Sequence, residues 1–195
     1  MLSLSDFPSA PLIHAASLKR RGRRILLVGP KGGGKTTLSL RLIQEGYDIE
    51  GDENVFVTGG AVVARPRALR VKSSTASLFP AIEPALRLAP YYQNGENLRI
   101  YNLDPRKVGA RSWHIEKGPV AAVVLLRPNH NSYSSLRTIS PLSLAREVIA
   151  ESAFREVDRR EGIRDIIQIV SNASGLELSL GCLDGAVSCL DDVCC

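Results

Sequence analysis

Runs of apolar residues on either side of a basic stretch predict a strand-loop-helix order near the start of the chain. Residues 12–18 have strand character and residues 25–28 form an apolar run, so the stretch between them, which contains Gly22, predicts a hairpin connection. A glycine-rich segment follows, and apolar residues then recur at helical spacing until Gly46, where a helix is expected to end. This part of the chain therefore predicts a β-α unit.

Short apolar runs later in the chain predict further strands. Residues 55–57 and 61–64 flank a glycine turn and predict a β-hairpin. Between residues 67 and 102, prolines and a polar segment interrupt the pattern, which indicates irregular structure and short helices that form a lid or a substrate edge. Residues 120–126 are continuously apolar, as in a strand that is buried on both faces of an α/β sheet.

A helix is predicted to follow this buried strand. Ser140 supplies an N-cap and Pro141 a first-turn proline, and the apolar spacing extends the predicted helix to about Arg160. The rest of the prediction comprises an apolar segment at residues 163–170, a short strand at residues 176–180 and a last helix from about Asp184. The length of 195 residues favours one α/β domain that spans residues 1–195.

The composition fits a soluble globular protein and gives no targeting or membrane signal. Hydrophobic residues make up 44% of the chain and charged residues 23%. Asp6, Pro8 and Pro11 precede the first Lys or Arg, which reverses the order of a secretory signal. No run approaches the roughly 18 apolar residues that a membrane helix requires. All four cysteines lie near the C-terminus, which suits a reducing compartment. We therefore expect a cytoplasmic protein with no membrane partner.

Basic residues concentrate in one short stretch, residues 19–24. The formal net charge is +5, and such a run is either a solvated hairpin or a patch for nucleic acid or an acidic substrate. One Trp and four Phe are too few to indicate the basic and aromatic stacking surface of single-strand binders. The composition therefore favours the solvated hairpin and argues against a nucleic-acid partner.

A phosphate-binding motif joins the predicted strand at residues 25–28 to the first helix. Residues 29–36 fit the pattern of a glycine, four residues and then Gly-Lys-Ser/Thr. Glycines let the backbone curl so that N–H groups face phosphate oxygens, and the helix N-terminus adds partial positive charge. Lys35 is expected to reach the β- and γ-phosphates of ATP, and Thr36 to ligate Mg²⁺. A glycine-rich turn with an incidental lysine would explain the clustered glycines poorly. The predicted nucleotide-binding residues are Gly29, Pro30, Lys31, Gly32, Gly33, Gly34, Lys35, Thr36 and Thr37.

Two acidic residues, Asp52 and Glu53, follow the predicted β-α unit just before the next strand. Phosphoryl transfer to an alcohol needs one carboxylate that takes or orients the hydroxyl proton. It also needs an acidic group that helps to hold the metal. Acidic residues in turns are usually only solvated, but the position of this pair after the loop and helix makes it a candidate catalytic site.

The order of these features resembles the kinase domain of the HPr serine kinase/phosphorylase family and, more distantly, phosphoenolpyruvate carboxykinase. In those families a strand with a His precedes a Walker A loop, a helix ends in a Gly, and an Asp-Asp pair follows on a short strand. The matching segments here are His14-Ala15-Ala16, residues 29–37 and residues 46–53. The resemblance implies an α/β fold with a P-loop nucleotide-binding domain of this type, in which helices flank a mixed β-sheet.

The resemblance also implies roles for individual residues. It assigns Asp52 as the general base, Glu53 as the second acidic residue near the metal, and His14 as a neighbour of the transferred phosphate. Glu53 stands where these relatives have Asp. Residues 65–72 resemble a Pro- and basic-rich segment of kinase-like relatives, and they either neutralise phosphate or an acidic substrate or form ordinary surface charge. No segment matches the one associated with the phosphorylase reaction.

Together these features predict an ATP- and Mg²⁺-dependent kinase in which Asp52, Lys35 and His14 act on a serine-type hydroxyl. The acceptor is left open between a protein, a peptide and a small molecule, and so is a homo-oligomer, since relatives form assemblies. One alternative is a nucleotide-binding regulatory module that has lost transfer. Another alternative is a simple nucleoside-triphosphate hydrolase. That class places its metal-linked Asp after a long apolar strand, and before Asp52 the chain has only the isolated apolar residue Ile49.

Overall fold

Three β-sheets with flanking helices make up the computed structural model, which describes residues 10–111, 115–129, 133–154 and 158–194. The strands are β1 (Leu12–Ile13), β2 (Ala15–Arg20), β3 (Arg23–Val28), β4 (Asp48–Gly51), β5 (Val55–Thr58), β6 (Ala61–Ala64), β7 (Leu69–Lys72), β8 (Tyr91–Gln93), β9 (Arg99–Leu103), β10 (Ala122–Pro128), β11 (Ser135–Thr138), β12 (Ser152–Ala153) and β13 (Ser174–Leu180). The helices are α1 (Lys35–Gln44), α2 (Ser73–Ala76), α3 (Glu83–Arg87), α4 (Pro141–Ala150), α5 (Arg159–Asn172) and α6 (Leu183–Asp191), with 3₁₀ turns at Pro80–Ile82 and Pro105–Val108. The fold is therefore mixed α/β.

The main sheet has six strands in the order β11-β13-β10-β3-β2-β4. Strand β10 lies between β13 and β3 and is parallel to both, with Leu125 beside Val28. Alternate residues of β3 and β10 pack into two separate cores: α1 and α6 cover one face of the sheet, and α4 and α5 cover the other. This double cover explains why the sequence of β10 is continuously apolar, and it confirms the predicted buried strand.

Strand β4 forms one edge of the main sheet and lies next to β2. Its last residue, Gly51, passes so close to the backbone of Arg65 that a β-carbon at position 51 would lie 2.4 Å from the Arg65 carbonyl oxygen. The amide of Arg65 also donates to the carbonyl of Asn54 at 2.9 Å. The end of β4 is thus held against the segment that follows the β5–β6 hairpin.

A buried ion pair ties this edge strand to the centre of the sheet. Arg24 of β3 donates from Nε and Nη2 to the two carboxylate oxygens of Glu50 in β4, at 2.6 and 2.8 Å. Ser17 of β2 donates to the same carboxylate at 2.7 Å. The guanidinium also donates to the carbonyls of Pro119 and Glu116, at 3.2 and 3.1 Å. One arginine therefore links two strands to the segment that leads into β10.

Residues 67–102 are more regular than their sequence predicts. Strands β7, β9 and β8 form an antiparallel sheet of three strands, in which Val71 lies opposite Tyr101. Helices α2 and α3 and a 3₁₀ turn account for the short helices that were expected. The expectation of irregular structure was wrong because the strands are short and pair across prolines and a polar loop, so that periodicity within a window does not reveal them.

The predicted helix after β10 is shorter than expected. Ser140 caps it as predicted, since its hydroxyl accepts a hydrogen bond from the Ser143 amide, but α4 ends at Ala150 rather than near residue 160. The chain then enters β12, which pairs with β1, and α5 begins after the Asp158 cap. Pairing with a strand distant in sequence thus overrides the helical spacing.

The strand predicted at residues 12–18 is divided into β1 and β2, which belong to different sheets, whereas most other predicted elements are confirmed. The β2–β3 and β5–β6 hairpins, α1, β13 and α6 all form where the sequence places them. Cys182, Cys189 and Cys194 are free thiols. Within the part of the chain that the structure describes, no helix is both long and apolar enough to cross a bilayer.

Candidate functional site

The glycine-rich segment forms a tight turn between the end of β3 and the start of α1. Gly32 and Gly34 have φ values of 83° and 91°, which side-chain-bearing residues rarely adopt. The amide of Gly33 donates to the Pro30 carbonyl at 2.9 Å, and α1 begins directly after Gly34 with no side-chain cap. The free amides at the start of α1 and the helix dipole favour an anion at this end of the loop.

Lys35 lies folded against this loop. Its side chain is buried, and Nζ donates to the carbonyls of Gly29 and Pro30 at 2.5 and 3.0 Å. Burial lowers the pKa of Lys35, and nearby carboxylates, of which Glu151 acts most strongly, oppose that shift. The structure therefore places a buried ammonium inside the turn that the motif predicts.

Asp52 follows the last residue of β4 and meets the start of α1. The Thr36 hydroxyl donates to Asp52 Oδ2 at 2.8 Å, and Asp52 is only 1% exposed. Burial raises the pKa of Asp52, and the hydrogen bond from Thr36 acts in the opposite direction. The second carboxylate oxygen, Oδ1, is buried and has no hydrogen-bond partner among the described residues. A buried polar atom of this kind is rare in folded proteins and is typical of a functional site.

Two arginines from residues 65–72 contact the carboxylate of Glu53. Its carboxylate lies 2.5 Å from Arg67 Nη1 and 3.5 Å from Arg70 Nη1. Its backbone has a φ of 81°, which is uncommon for a residue with a side chain. The two arginines thus face the acidic pair, and a metal ion would have to compete with them for Glu53.

His14 lies next to Glu151, a residue that the sequence did not single out. The His14 amide donates to the Glu151 carbonyl at 2.8 Å, and Nδ1 lies 3.4 Å from Glu151 Oε2. The antiparallel pairing of β1 with β12 brings the two residues together. The charge of Glu151 also raises the pKa of Lys35, against the effect of burial.

The remaining predicted residues lie around the same turn. Thr37 Oγ1 is 3.2 Å from Thr75 Oγ1 of α2, another residue that the sequence did not indicate. Pro30, Lys31 and Gly32 are exposed at the tip of the loop, whereas Gly29 and Gly33 are buried. A β-carbon on Gly34 would lie 2.6 Å from Leu180 Cδ2, so the Leu180 side chain would have to shift to admit one.

The residues present fit a nucleotide phosphate with a hard cation. Hydroxyl and carboxylate oxygens are suitable Mg²⁺ ligands, and the unpaired Asp52 Oδ1 is a buried acceptor beside the Thr36 hydroxyl. Among the described residues, no group of three or more His, Cys, Asp or Glu could hold a metal ion. A magnesium ion at Thr36 would therefore depend on phosphate oxygens and water for most of its ligands.

Comparison with solved structures gives distant likenesses, of which one is described. No family model matches the chain, and no curated protein matches it. The chain is similar in structure to the Hpr(Ser) kinase/phosphatase from Coxiella burnetii, with 11% sequence identity and a TM-score of 0.42 over 93% of this chain and 94% of that one. A likeness of this degree carries no argument about the reaction, which has to come from the residues of this chain.

Proposed function

We propose that this protein is an ATP-dependent phosphotransferase that transfers the γ-phosphate to a serine-type hydroxyl of a protein, a peptide or a small molecule. The observation that carries the proposal is the contact between Thr36 and Asp52. It places a buried carboxylate, with one oxygen unpaired among the described residues, at the N-terminus of the helix that follows the glycine loop. A phosphate at that terminus would lie beside a candidate proton acceptor.

The chain's own residues divide the work between phosphate binding and proton transfer. The loop amides and Lys35 would hold the phosphates, and Thr36 and Glu53 would hold Mg²⁺, which when bound supplies positive charge against the phosphate oxygens. Asp52 would accept the hydroxyl proton of the acceptor, and His14 would lie near the transferred group. Catalysis would then consist mainly of positioning and charge stabilisation.

The burial of Asp52 supports its assignment as the base. A carboxylate in water is a weak base at neutral pH, and burial raises the pKa of Asp52 toward the range in which proton transfer is efficient. The same burial limits the access of bulk water to the carboxylate. The limited access of bulk water favours transfer to a bound alcohol over simple hydrolysis of the nucleotide.

One observation favours a second candidate, a nucleotide-binding regulatory module with reduced catalysis. Arg67 and Arg70 already neutralise Glu53, the residue proposed as the second metal ligand. If that pairing persists when nucleotide binds, the site retains phosphate binding but lacks one acidic ligand. Consumption of ATP in the presence of an acceptor separates the two functions, because the regulatory module would bind ATP without turnover.

The test is phosphate transfer from γ-labelled ATP to the components of a host lysate by the purified chain. We expect one labelled species with the parent chain, and its loss with Asp52→Asn, because general-base catalysis contributes about 10²–10⁴-fold to rate. Nucleotide affinity should stay nearly unchanged in Asp52→Asn, whereas Lys35→Ala should weaken both affinity and turnover. Label transfer at the parental rate by Asp52→Asn would show that the base is wrongly assigned.

A matched control for Asp52→Asn is available on β4, the strand that precedes Asp52. Asp48, at the start of β4, is partly exposed and lies 3.5 Å from Arg111 Nε. Asp48→Asn makes the same chemical change outside the site, so it should leave transfer and nucleotide affinity at parental levels. A similar loss in both Asn variants would point to a general effect of the substitution rather than to Asp52.

A further inference from the structure

The pairing of β1 with β12 places a carboxylate against the histidine of the proposed site. Leu12 and Ile13 pair with Ala153 and Ser152, so the register brings the next residue, His14, opposite Glu151. The backbone hydrogen bond between them fixes this alignment, and the side chains meet at 3.4 Å through His14 Nδ1 and Glu151 Oε2. One backbone hydrogen bond and one side-chain contact therefore bring the imidazole beside this carboxylate.

This contact decides which ring nitrogen of His14 is available to the site. In a neutral imidazole one nitrogen carries the proton and the other accepts, and the hydrogen bond at one nitrogen sets the state of the other. A carboxylate can only accept, so the nitrogen next to Glu151 is the one that should carry the proton. That leaves Nε2, on the opposite side of the ring, as the acceptor.

We propose that Glu151 is a positioning residue for His14: its carboxylate accepts a hydrogen bond from Nδ1–H of His14 and keeps Nε2 free for the reacting groups. The inference rests on the proposed function for its effect on turnover, but not for the tautomer. Sequence patterns did not indicate this role, since Glu151 lies at the end of a helix and far from His14 along the chain.

If Glu151 had only a structural role, its substitution would lower the stability of the chain and turnover together. The His14 and Glu151 side chains are 35% and 26% exposed, and a polar contact of that exposure contributes little to stability. Substitution of Glu151 should therefore lower Tm by no more than about 4 °C. A large loss of turnover in a chain that melts near the parental temperature would thus reflect the state of His14.

The first experiment measures the tautomer directly by ¹⁵N NMR of the full chain labelled at histidine. The chain has three histidines, and His14→Gln assigns the signal. In mildly alkaline buffer, where histidine side chains are ordinarily neutral, we expect His14 to be mainly the Nδ1–H form in the parent. Glu151→Ala should shift it toward the mixture of a free imidazole. Glu151→Gln keeps a side-chain oxygen acceptor and should retain the Nδ1–H form.

The second experiment compares kinetics with a control from the same helix. Glu147, one turn earlier in α4, pairs with Arg127 at 2.8 Å. Glu151→Ala should lower kcat by about 10–100-fold, the usual effect of removing the partner of a functional histidine, and leave the KM for ATP nearly unchanged. Glu151→Gln should restore most of the turnover, and Glu147→Ala should behave as the parent.

Each outcome supports or overturns the inference. An unchanged tautomer in Glu151→Ala, or an equal loss of kcat in Glu147→Ala, would overturn it. If Glu151→Ala does not fold, the parent spectrum still decides, because a His14 that is mainly the Nε2–H form contradicts the proposal. A parent chain that transfers no phosphate would refute the proposed function, while the NMR measurement would still test the contact between Glu151 and His14.

Discussion

Substitution of Arg24 by Met tests how far the buried ion pair stabilises the edge of the main sheet. The Arg24 side chain is 3% exposed and contacts both carboxylate oxygens of Glu50. Met removes the positive charge and leaves the carboxylate with the hydroxyl of Ser17. Loss of one partner of a buried pair costs about 3–5 kcal/mol. In a chain of this size about 1 kcal/mol corresponds to about 2–4 °C in Tm, so we expect Tm to fall by about 6–20 °C.

The assay is thermal unfolding followed by circular dichroism, in the absence of nucleotide, for Arg24→Met, Glu50→Met and the double variant. The double variant should be less destabilised than the sum of the two single variants, since apolar replacement of both partners leaves no buried charge uncompensated. Arg87→Met is the control, because Arg87 pairs with Glu83 on an exposed helical face and should leave Tm nearly unchanged. A fall of less than about 2 °C for Arg24→Met, or strict additivity in the double variant, would refute the reasoning.

Arg24→Met should also change the geometry of the candidate site. Glu50 precedes Asp52 by two residues at the end of the edge strand, so a loosened β4 displaces the carboxylate that Thr36 holds. We therefore expect Arg24→Met to lower turnover more than ATP affinity when both are measured well below its Tm.

Two further predictions concern the loop and the base. Gly34→Ala should lower the free energy of unfolding by about 1–2 kcal/mol, the cost of a left-handed backbone for alanine, and should weaken ATP binding. Gly22, in the β2–β3 turn, has a φ of 78°, so Gly22→Ala should have a similar cost in stability and leave ATP binding unchanged. An equal loss of ATP binding in both variants would contradict this prediction. Because burial raises the pKa of Asp52, kcat/KM should fall on the acid side with an apparent pKa above the ordinary carboxyl value of about 3.9. An apparent pKa at that ordinary value would contradict the assignment of Asp52 as the base.

Local features of the sequence predicted the part of the site that is local in the chain. The glycine turn, the buried Lys35 and the start of α1 follow from one continuous segment, in which glycine spacing and the helix signal agree. Asp52 lies beside Thr36, consistent with the assignment of both residues to one site. These predictions needed no knowledge of strand pairing, because one helix and one short strand connect the residues.

Features that depend on distant pairing could not be predicted in this way. Glu151 reaches His14 only because β12 joins β1, and β12 has two residues, too few for any periodic signal. The contacts of Arg67 and Arg70 with Glu53 were also missed, because charge alone did not distinguish a partner of Glu53 from a solvated surface residue. The sequence therefore predicted the glycine loop and its helix better than the contacts of the segments that face them.

The close passage of Gly51 beside the Arg65 carbonyl has a consequence for the search for relatives. The obstructing atom is main chain, so no change of side chain elsewhere can make room for a β-carbon at position 51. A relative that keeps this crossing should therefore keep glycine at the position of Gly51. Glycine immediately before the acidic pair is thus the residue to look for when candidate relatives are compared.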